Sequence, residues 1–392
     1  MENFDITIIG GSFAGMTSAL ALVNTAPNLK IAIIERQDIV KNDRQRDGRA
    51  YAISSASLKL FKEIGIFDEL NPKAGTISDI KITDHKSPFI LDFLGREVDE
   101  KDGRLGQIIE NYHIHNALRN KILANENIEV FSPHFYEEIE FEDGARVTLD
   151  DGRELTSKLL LACDGRFSKL REKYHIHTTQ KKYHQKAIVF NIKHERPHEN
   201  AAWEKFLPGG PLAILPLKDQ KESSIVWIAP DALADVIFDL DDENFMHQLG
   251  KKMENCLGKI HVVSDKFTYP LIAIEAEKFY HEKMLLIGDA ACGVHPIAGQ
   301  GFNLAISGIN ILCDLIKNQQ DAGLDIASQS LIEAYSKKAG FEAKKMLIAT
   351  DILNSLFETK SLSIGILRDS GLGLVNKMTR LKKFFIKGAG GF

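Results

Sequence analysis

The first 35 residues carry two mainly apolar runs that flank a glycine-rich turn. Residues 4–9 form a run of the length of a buried strand, and residues 30–35 form a second. Between them, residues 14–23 are apolar and long enough for a helix. A strand, a helix and a second strand in this order predict the β-α-β unit that opens a doubly wound parallel sheet.

The rest of the chain alternates between strand-like and helical patterns. Further elements are predicted as follows: a hairpin at 77–93, strands at 186–192, 211–217, 223–229 and 283–288, a long helix from near 299, and helical sequence from 331 onward. We therefore expect an α/β fold: a Rossmann-type domain with an inserted, mainly antiparallel β-sheet domain and a helical C-terminus. The expected division is 1–75, 104–180 and 275–350 for the Rossmann-type domain, 76–103 and 181–274 for the sheet domain that would cover a substrate, and 351–392 for the C-terminal segment.

Composition and charge exclude several classes of protein. The 392 residues carry a formal net charge of -5, so we expect no nucleic-acid partner. The cysteines form no CxxC pair, which argues against a metal site or a disulfide framework and fits a reducing, cytoplasmic compartment. They are Cys163, Cys256, Cys292 and Cys313. Residues 6–23 are uncharged, but they contain glycines and lack a basic leader, so we expect neither a signal peptide nor a membrane span.

The first motif lies in the turn between the opening strand and helix. Gly10 permits a tight turn, and Gly15 lets the helix pack closely on the strand, while Ser12 replaces the middle glycine of GxGxxG. Glu35 ends the second strand twenty residues after Gly15, where a carboxylate can accept hydrogen bonds from a ribose. The pattern favours a dinucleotide site, with a chance glycine turn as the alternative.

Two further motifs follow apolar strands. Residues 164–171 read DGRFSKLR, and residues 288–291 read GDAA and continue to Asn303. Asp164 and Asp289 each emerge at the carboxyl end of a predicted parallel strand, where ligands bind in such sheets. Each motif alone could equally be a turn with a capping aspartate. Three motifs in this order favour a cofactor site.

The chain resembles the flavin-dependent aromatic hydroxylases of the para-hydroxybenzoate hydroxylase type. Their fingerprints GxGxxG, DGxxSxxR and GDAxxxxPxxGxGxN all occur here. Within that group the chain is most similar to the ubiquinone-biosynthesis hydroxylases. The segments that carry this narrower resemblance are RAYAISSASLKLF at 49–61, FLPGGPLAILPL at 206–217, HPIAGQGFNL at 295–304, and the C-terminal LFETKSLSIGILRDSGLGLVNKM.

The resemblance implies FAD as the cofactor. It places Asp289 and Asn111 at the ribitol, Arg49 at the phosphates and Val130 at the adenine. The implied cofactor-binding residues are Gly10, Ser12, Phe13, Ala14, Gly15, Glu35, Arg36, Arg49, Asn111, Val130, Asp164, Gly165, Gly288, Asp289, Pro296, Gly299, Gln300, Gly301, Phe302 and Asn303. His295 and Pro296, in the loop before the last motif's helix, are candidate catalytic positions, with a purely structural His-Pro turn as the alternative.

The implied reaction is hydroxylation of a polyprenylated phenol or quinol through a flavin C4a-hydroperoxide. One dinucleotide fingerprint implies that NAD(P)H binds transiently. The predicted sheet over the flavin is rich in apolar side chains, so its inner face can enclose an apolar ring and tail. These side chains are Ile188, Val189, Leu212, Ile214, Leu215, Val226 and Trp227. Alternatives are a prenyl reductase, a halogenase (although no WxWxIP-like segment is present) and a catalytically silent FAD-binding subunit of a biosynthetic complex.

The C-terminal residues 364–392 carry six basic residues against one acid. Apolar and basic positions separate onto two sides of a predicted helix, which is typical of segments that lie on a membrane surface. Packing onto the FAD domain is the alternative. The expected location is therefore cytoplasmic, with peripheral contact at the inner face of a membrane.

Overall fold

The computed structural model describes residues 1–41, 43–84, 90–97, 103–294 and 300–358, the last six by their backbone alone. The helices are α1 (Phe13–Thr25), α2 (Ser55–Glu63), α3 (Phe67–Leu70), α4 (Asn111–Leu123), α5 (Lys169–Lys173), α6 (Asp231–Phe238), α7 (Asp242–Met253), α8 (Gln300–Asp321) and α9 (Gln329–Glu358). Strands belong to three sheets.

The first sheet contains the predicted β-α-β unit. Its strands are β1 (Glu2–Ile9), β2 (Ile31–Ile34), β8 (Ile128–Phe131), β9 (Tyr136–Phe141), β10 (Ala145–Leu149), β11 (Glu154–Ala162), β18 (Tyr280–His281) and β19 (Met284–Leu286). The order is β18-β19-β11-β1-β2-β8, and the five strands from β19 to β8 run parallel. The hairpin of β9 and β10 adds to β11. The carboxyl ends of the parallel strands therefore meet at one edge, where the three motifs lie.

The second sheet is mainly antiparallel. Its strands are β5 (Asp79–Asp84), β6 (Ile90–Leu94), β12 (Thr178–His194), β13 (Ala201–Leu207), β14 (Gly210–Pro216), β15 (Glu222–Pro230), β16 (Ile260–Val262), β17 (Phe267–Ala276) and β20 (Cys292–Gly293). The third sheet is small and holds β3 (Ala50–Ser54), β4 (Gly75–Ile77) and β7 (Gly106–Glu110). These bounds confirm the α/β fold class and the hairpin at 77–93, in its described part. The division into domains stays a prediction, and β20 pairs with the second sheet although it lies within 275–350.

The apolar side chains of the second sheet face two ways. Ile188, Leu212, Ile214 and Trp227 pack with residues of helices α6 and α7. The seven apolar residues named from the sequence are therefore divided between the two faces of the sheet. Successive side chains of a strand point to opposite faces, so a continuous apolar run supplies both. The opposite face, here called the inner face, carries Val189, Leu215 and Val226.

The opening turn depends on the absence of side chains at its glycines. A Cβ at Gly15 would lie 1.9 Å from the Gly10 carbonyl oxygen. We therefore expect Gly15→Ala to cost about 3 kcal/mol or more in free energy of unfolding, because backbone would have to shift. In the matched control, Gly340→Ala on α9, a Cβ meets no atom within 4 Å. That variant should gain about 0.5–1 kcal/mol, because alanine favours a helix interior. Urea unfolding of both variants tests this pair, and equal stability would contradict the packing.

Candidate functional site

The glycine turn brings three strand ends together. Gly10 has φ +106°, and a Cβ on it would lie 2.5 Å from the carbonyl oxygen of Cys163, at the end of β11. The Gly11 amide donates to Glu35 Oε2 over 2.6 Å. The backbone amide of Gln37 donates to the other carboxylate oxygen of Glu35, Oε1, over 2.8 Å. Glu35 therefore fixes the turn while its remaining lone pairs are free to accept from a ligand.

The N-terminus of α1 is open to an anion. Ser12 occupies the N-cap but its side chain makes no capping hydrogen bond, and it is exposed. The first turn of α1 contains no acidic residue. Phe13 and Ala14, which begin the helix, are half-buried. Unpaired amides and the helix dipole together favour a phosphate at this position.

Two of the remaining predicted residues lie along the neighbouring strands. Val130 is half-buried on β8 and pairs with Ile33 of β2. Arg36 is exposed, and its guanidinium lies 5.6 Å from the centre of the Phe135 ring. Both stand near Glu35 in the fold, at the same end of β2. Their contacts with a cofactor stay a prediction.

The second motif leaves one buried carboxylate oxygen unused. Asp164 Oδ2 accepts the Leu170 amide over 3.1 Å, whereas its Oδ1 is buried without a partner in the described part of the chain. Gly165 has φ +85°, and no described atom lies within 4 Å of the Cβ that another residue would carry. An orphaned buried acceptor beside open space is the arrangement that a bound polar ligand satisfies.

Arg171 ties the second motif to the third. This buried guanidinium donates to the carbonyl oxygens of Ala290 and Arg166, both over 2.8 Å. Ser168 caps α5 and accepts the Arg171 amide over 3.0 Å. The DGxxSxxR spacing thus has a local explanation: the aspartate and serine cap one short helix, and the arginine on it reaches the third motif.

The third motif completes the convergence. Gly288 has φ +63°, and a Cβ on it would lie 3.2 Å from the Ala14 Cβ. Asp289 pairs with Arg166 over 3.1 Å, and its side chain is 39 % exposed. The structure therefore brings residues of all three motifs, Ala14, Arg166 and Asp289 among them, to one place.

Helix α8 begins within the last part of the third motif. Gln300 and Gly301 begin it, and Phe302 is buried between Phe13 and Tyr51, with ring centres 3.7 and 4.6 Å away. The Asn303 side chain instead holds the β3–α2 junction: its Oδ1 accepts from the Ser54 amide and the Ser57 hydroxyl, and its Nδ2 donates to the Ala52 carbonyl. Asn303 positions α8 through these bonds, whereas its predicted contact with the cofactor stays a prediction.

Arg49 and Asn111 share one carboxylate. The Asp47 Oδ2 atom accepts from the Arg49 guanidinium over 2.5 Å and from the Asn111 amide group over 2.7 Å. Arg49 also lies 5.9 Å from the centre of the Tyr269 ring, on β17 of the second sheet. The loop before β3 thus contacts the start of α4 through Asp47 and the second sheet through Arg49.

A buried polar cluster next to this loop was missed by sequence reasoning. Glu110 Oε1 accepts from Arg46 over 2.7 Å and from Asn191 over 2.9 Å, and Arg46 also reaches Glu222 over 3.2 Å. Burial raises the pKa of the Glu110 carboxyl, and the neighbouring Arg46 opposes that shift. The four residues are far apart in the chain and carry no motif, so only the fold brings them together.

Glu204 is a second residue that the sequence did not single out. It lies on β13 opposite Ala213 of β14, which in turn is opposite Val226 of β15, so all three share the inner face. Glu204 has no ion pair or hydrogen bond within the described ranges, and burial raises its pKa to about 7. The available signal was an acid that follows three apolar residues in AAWEKFL, directly before Lys205.

His295, Pro296 and Gly299 lie outside the described residues. Val294, just before them, is buried, and Gln300, just after them, is half-buried at the start of α8. The candidate catalytic role of His295 and Pro296 stays a prediction.

The comparisons with known proteins decide the family. Residues 3–350 match the FAD binding domain family. The chain belongs to this FAD-binding family. Ubiquinone hydroxylase UbiL of Rhodospirillum rubrum is 32 % identical over 389 residues, covering 99 % of this chain and 89 % of the relative. Ubiquinone hydroxylase UbiM of Neisseria meningitidis is 30 % identical, covering 98 % and 84 %.

More distant relatives agree in length and fold. The mitochondrial ubiquinone biosynthesis monooxygenase COQ6 of Homo sapiens is 26 % identical over 431 residues, covering 97 % of this chain and 91 % of the relative. Among solved structures, p-nitrophenol 4-monooxygenase PnpA of Pseudomonas putida superimposes with a TM-score of 0.80 at 15 % identity, covering 100 % and 99 %. That likeness shows the fold alone. This member of the FAD-binding family is an FAD-dependent monooxygenase, and a nicotinamide co-substrate is typical of the family.

The residues present fit FAD. The open N-terminus of α1, the orphaned Asp164 oxygen and the open space at Gly165 lie at one edge of the first sheet. A diphosphate needs amide donors, and sugar hydroxyls need carboxylate acceptors such as Glu35 and Asp289. This protein offers both amide donors and carboxylate acceptors at this edge of the first sheet.

Purified protein should be yellow and should release FAD on denaturation. We expect Asp289→Ala to weaken FAD binding by about 1–3 kcal/mol, because a flavin hydroxyl would lose its acceptor. Titration of the apoprotein with FAD, followed by flavin fluorescence, measures this. Asp321→Ala, an exposed acid at the far end of α8, is the matched control and should bind FAD normally. Wild-type affinity in Asp289→Ala would show that the third motif does not hold the flavin.

Proposed function

We propose that this protein hydroxylates the ring of a polyprenylated phenol or quinol in ubiquinone biosynthesis, with NAD(P)H and O2 as co-substrates. Relatives named ubiquinone hydroxylases match almost the whole chain, at 32 % and 30 % identity. The match covers the second sheet as well as the first, so it includes the part of the fold that would select the substrate. A place in a complex of ubiquinone-biosynthesis proteins belongs to the same proposal.

The observation that carries the substrate class is the inner face of the second sheet. Around Val189 and Val226 it is apolar, with Ile228, Leu271 and Tyr269 in the same cluster. Arg49 stands at its border, outside this apolar cluster, and pairs over 2.5 Å with Asp47, a carboxylate that it shares with Arg44 at 3.6 Å. A free carboxylate on the substrate would need an unpaired cation here, whereas an apolar ring with an apolar tail needs none. The face therefore suits a prenylated phenol better than a hydroxybenzoate.

The first and third motifs have distinct tasks toward the cofactor. When bound, FAD would supply the redox chemistry, taking hydride from NAD(P)H and activating O2. Glu35 and the N-terminus of α1 would hold its nucleotide half, and Asp289 would hold its sugar-alcohol chain. Helix α8 begins behind the Asp289 turn, with the Ala305 Cβ 3.5 Å from a Cβ built on Gly288, so its positive end favours negative charge in this region.

Glu204 is suited to take up the proton of a phenolic hydroxyl. Its carboxyl belongs to the inner face, and its pKa of about 7 lies where a general base is most effective. Removing the phenol proton makes the ring richer in electrons at the moment when oxygen is transferred to it. The small side chain of Ala213 beside Glu204 leaves space on that face for a ring.

Replacing Glu204 tests this role in two ways. The wild-type hydroxylation rate should rise with pH through about 7 as the carboxylate forms, and Glu204→Gln should lower the plateau by about 10²-fold and remove that pH limb. The free energy of unfolding should fall over the pH range in which the hydroxylation rate rises. The folded-state pKa of about 7 lies above the ordinary 4.5, so ionisation destabilises the folded protein as pH rises between those values.

The amide of Glu204→Gln does not ionise, so this variant should have a higher Tm than the wild type at about pH 8 and lose that gain at about pH 5. Glu243→Gln, an exposed acid on α7, serves as the control for both measurements. A pH profile of Glu204→Gln that matches the wild type would remove Glu204 from the proton path. It would leave the proposed substrate class untouched.

The reaction itself is tested in cells and with purified protein. Cells that lack the protein should contain less ubiquinone and accumulate a prenylated intermediate that is one oxygen atom poorer, and the intact gene should restore both. Purified protein should couple NAD(P)H oxidation to O2 consumption and to a gain of one oxygen in a prenylated phenol. Normal ubiquinone in the deletion, with no second hydroxylase present, refutes the assignment. Absence of NAD(P)H oxidation would instead favour a silent FAD-binding subunit.

A further inference from the structure

Helix α9 exposes a row of large apolar side chains on the side opposite its buried stripe. Phe341 is 64 % exposed, Ile348 52 % and Ile352 61 %. These residues are seven and four positions apart, so they lie in one line along the helix. The helix anchors itself by its other side, where Tyr335 and Ala343 are almost fully buried. Packing within the described chain therefore explains only half of α9.

Lysines border this apolar row on both sides. At about 100° per residue, Lys337 and Lys344 fall roughly 40° and 60° to one side of Phe341. Lys345 and Lys338 fall about 40° and 60° to the other. All four are exposed. An apolar row with a line of ammonium groups along each edge is the pattern of helices that lie flat in a membrane interface.

The acids of α9 cancel only part of this charge, and Glu333 accepts from Gln329 rather than from a lysine. Glu342 pairs with Lys345 over 2.7 Å, and Asp351 accepts from the Tyr183 hydroxyl over 2.6 Å and pairs with Lys181 over 3.0 Å. Lys337, Lys338 and Lys344 have no carboxylate within 4 Å in the described ranges. A chain with a net charge of -5 thus concentrates positive charge around its exposed apolar row.

We propose that this face of α9 docks onto the surface of an anionic lipid bilayer. Phe341, Ile348 and Ile352 would enter the headgroup region, while the lysine stems extend along it and keep their ammonium groups at the phosphates. Two other occupants fit the charge less well. A second copy would bring lysine against lysine, and residues 364–392 carry six basic residues against one acid and would be repelled in the same way.

This docking goes beyond the proposed reaction and does not depend on it. No helix in the described residues is long and apolar enough to cross a bilayer, so α9 would lie on the surface. A polyprenylated compound resides in that bilayer, so a docked enzyme would meet it without crossing water. The two proposals can nevertheless fail separately.

Flotation of the full-length FAD-loaded protein with vesicles tests the docking. We expect flotation with phosphatidylcholine vesicles that contain phosphatidylglycerol, weaker flotation with phosphatidylcholine alone, and loss of the difference at high salt. Replacing Phe341, Ile348 and Ile352 together by serine should reduce binding about tenfold or more. Lys337→Glu with Lys344→Glu should abolish the preference for the anionic vesicles. Both variants should keep the FAD content and Tm of the wild type.

The matched control lies on α6, where Leu233 and Val236 are also exposed, at 48 % and 61 %. Serine at both positions should leave flotation unchanged.

Wild-type flotation by the triple serine variant would overturn the proposal and assign any binding to another surface. A wild type that ignores anionic vesicles would overturn it as well. So would light scattering that shows a dimer in the wild type and a monomer in the triple variant, because a second copy would then cover the face.

Discussion

The site depends on one buried cation. Arg171 satisfies the Ala290 and Arg166 carbonyls at once, and without it two backbone groups from different motifs would be left with no donor at a place water hardly reaches. Burial lowers the pKa of Arg171, with the charge of Asp164 opposing that shift. The guanidinium stays charged in any case, because its ordinary pKa is far above neutrality. The second and third motifs are therefore held at a fixed distance from each other. The glycines of the first motif determine how closely α1 approaches both of them.

Two contacts connect the three motifs to the second sheet. The loop before β3 places Arg49 against Tyr269, and its Gly48 carbonyl accepts from Ser224 over 3.4 Å. On the other side, β20 directly follows the GDAA turn of the third motif and pairs with β17. A ligand at the sheet edge and one on the inner face would therefore share neighbours. Catalysis that must shield a reactive cofactor from water benefits from such continuity.

The sequence was sufficient for features that are local in the chain. Turn glycines, strand ends and the acidic residue after each strand are all dictated within about ten residues, so the three motifs and the opening β-α-β unit could be predicted. The faces of the second sheet could not. Ile188 and Val189 are adjacent and equally apolar, and only the position of α6 and α7 decides which of them is core. Glu204 and the cluster around Glu110 could not be predicted from the sequence for the same reason, because their neighbours come from distant strands.

The pairing of β20 with β17 also defines how relatives of this fold could be recombined. Ile274 faces Gly293 and Glu275 faces Cys292 across that ladder. One edge of the second sheet is thus encoded just after the GDAA turn, outside residues 181–274. A chimera that exchanged residues 181–274 alone would receive a sheet with a foreign edge strand. Crossover points chosen after residue 294 would keep the hydrogen-bonded partners from the same parent.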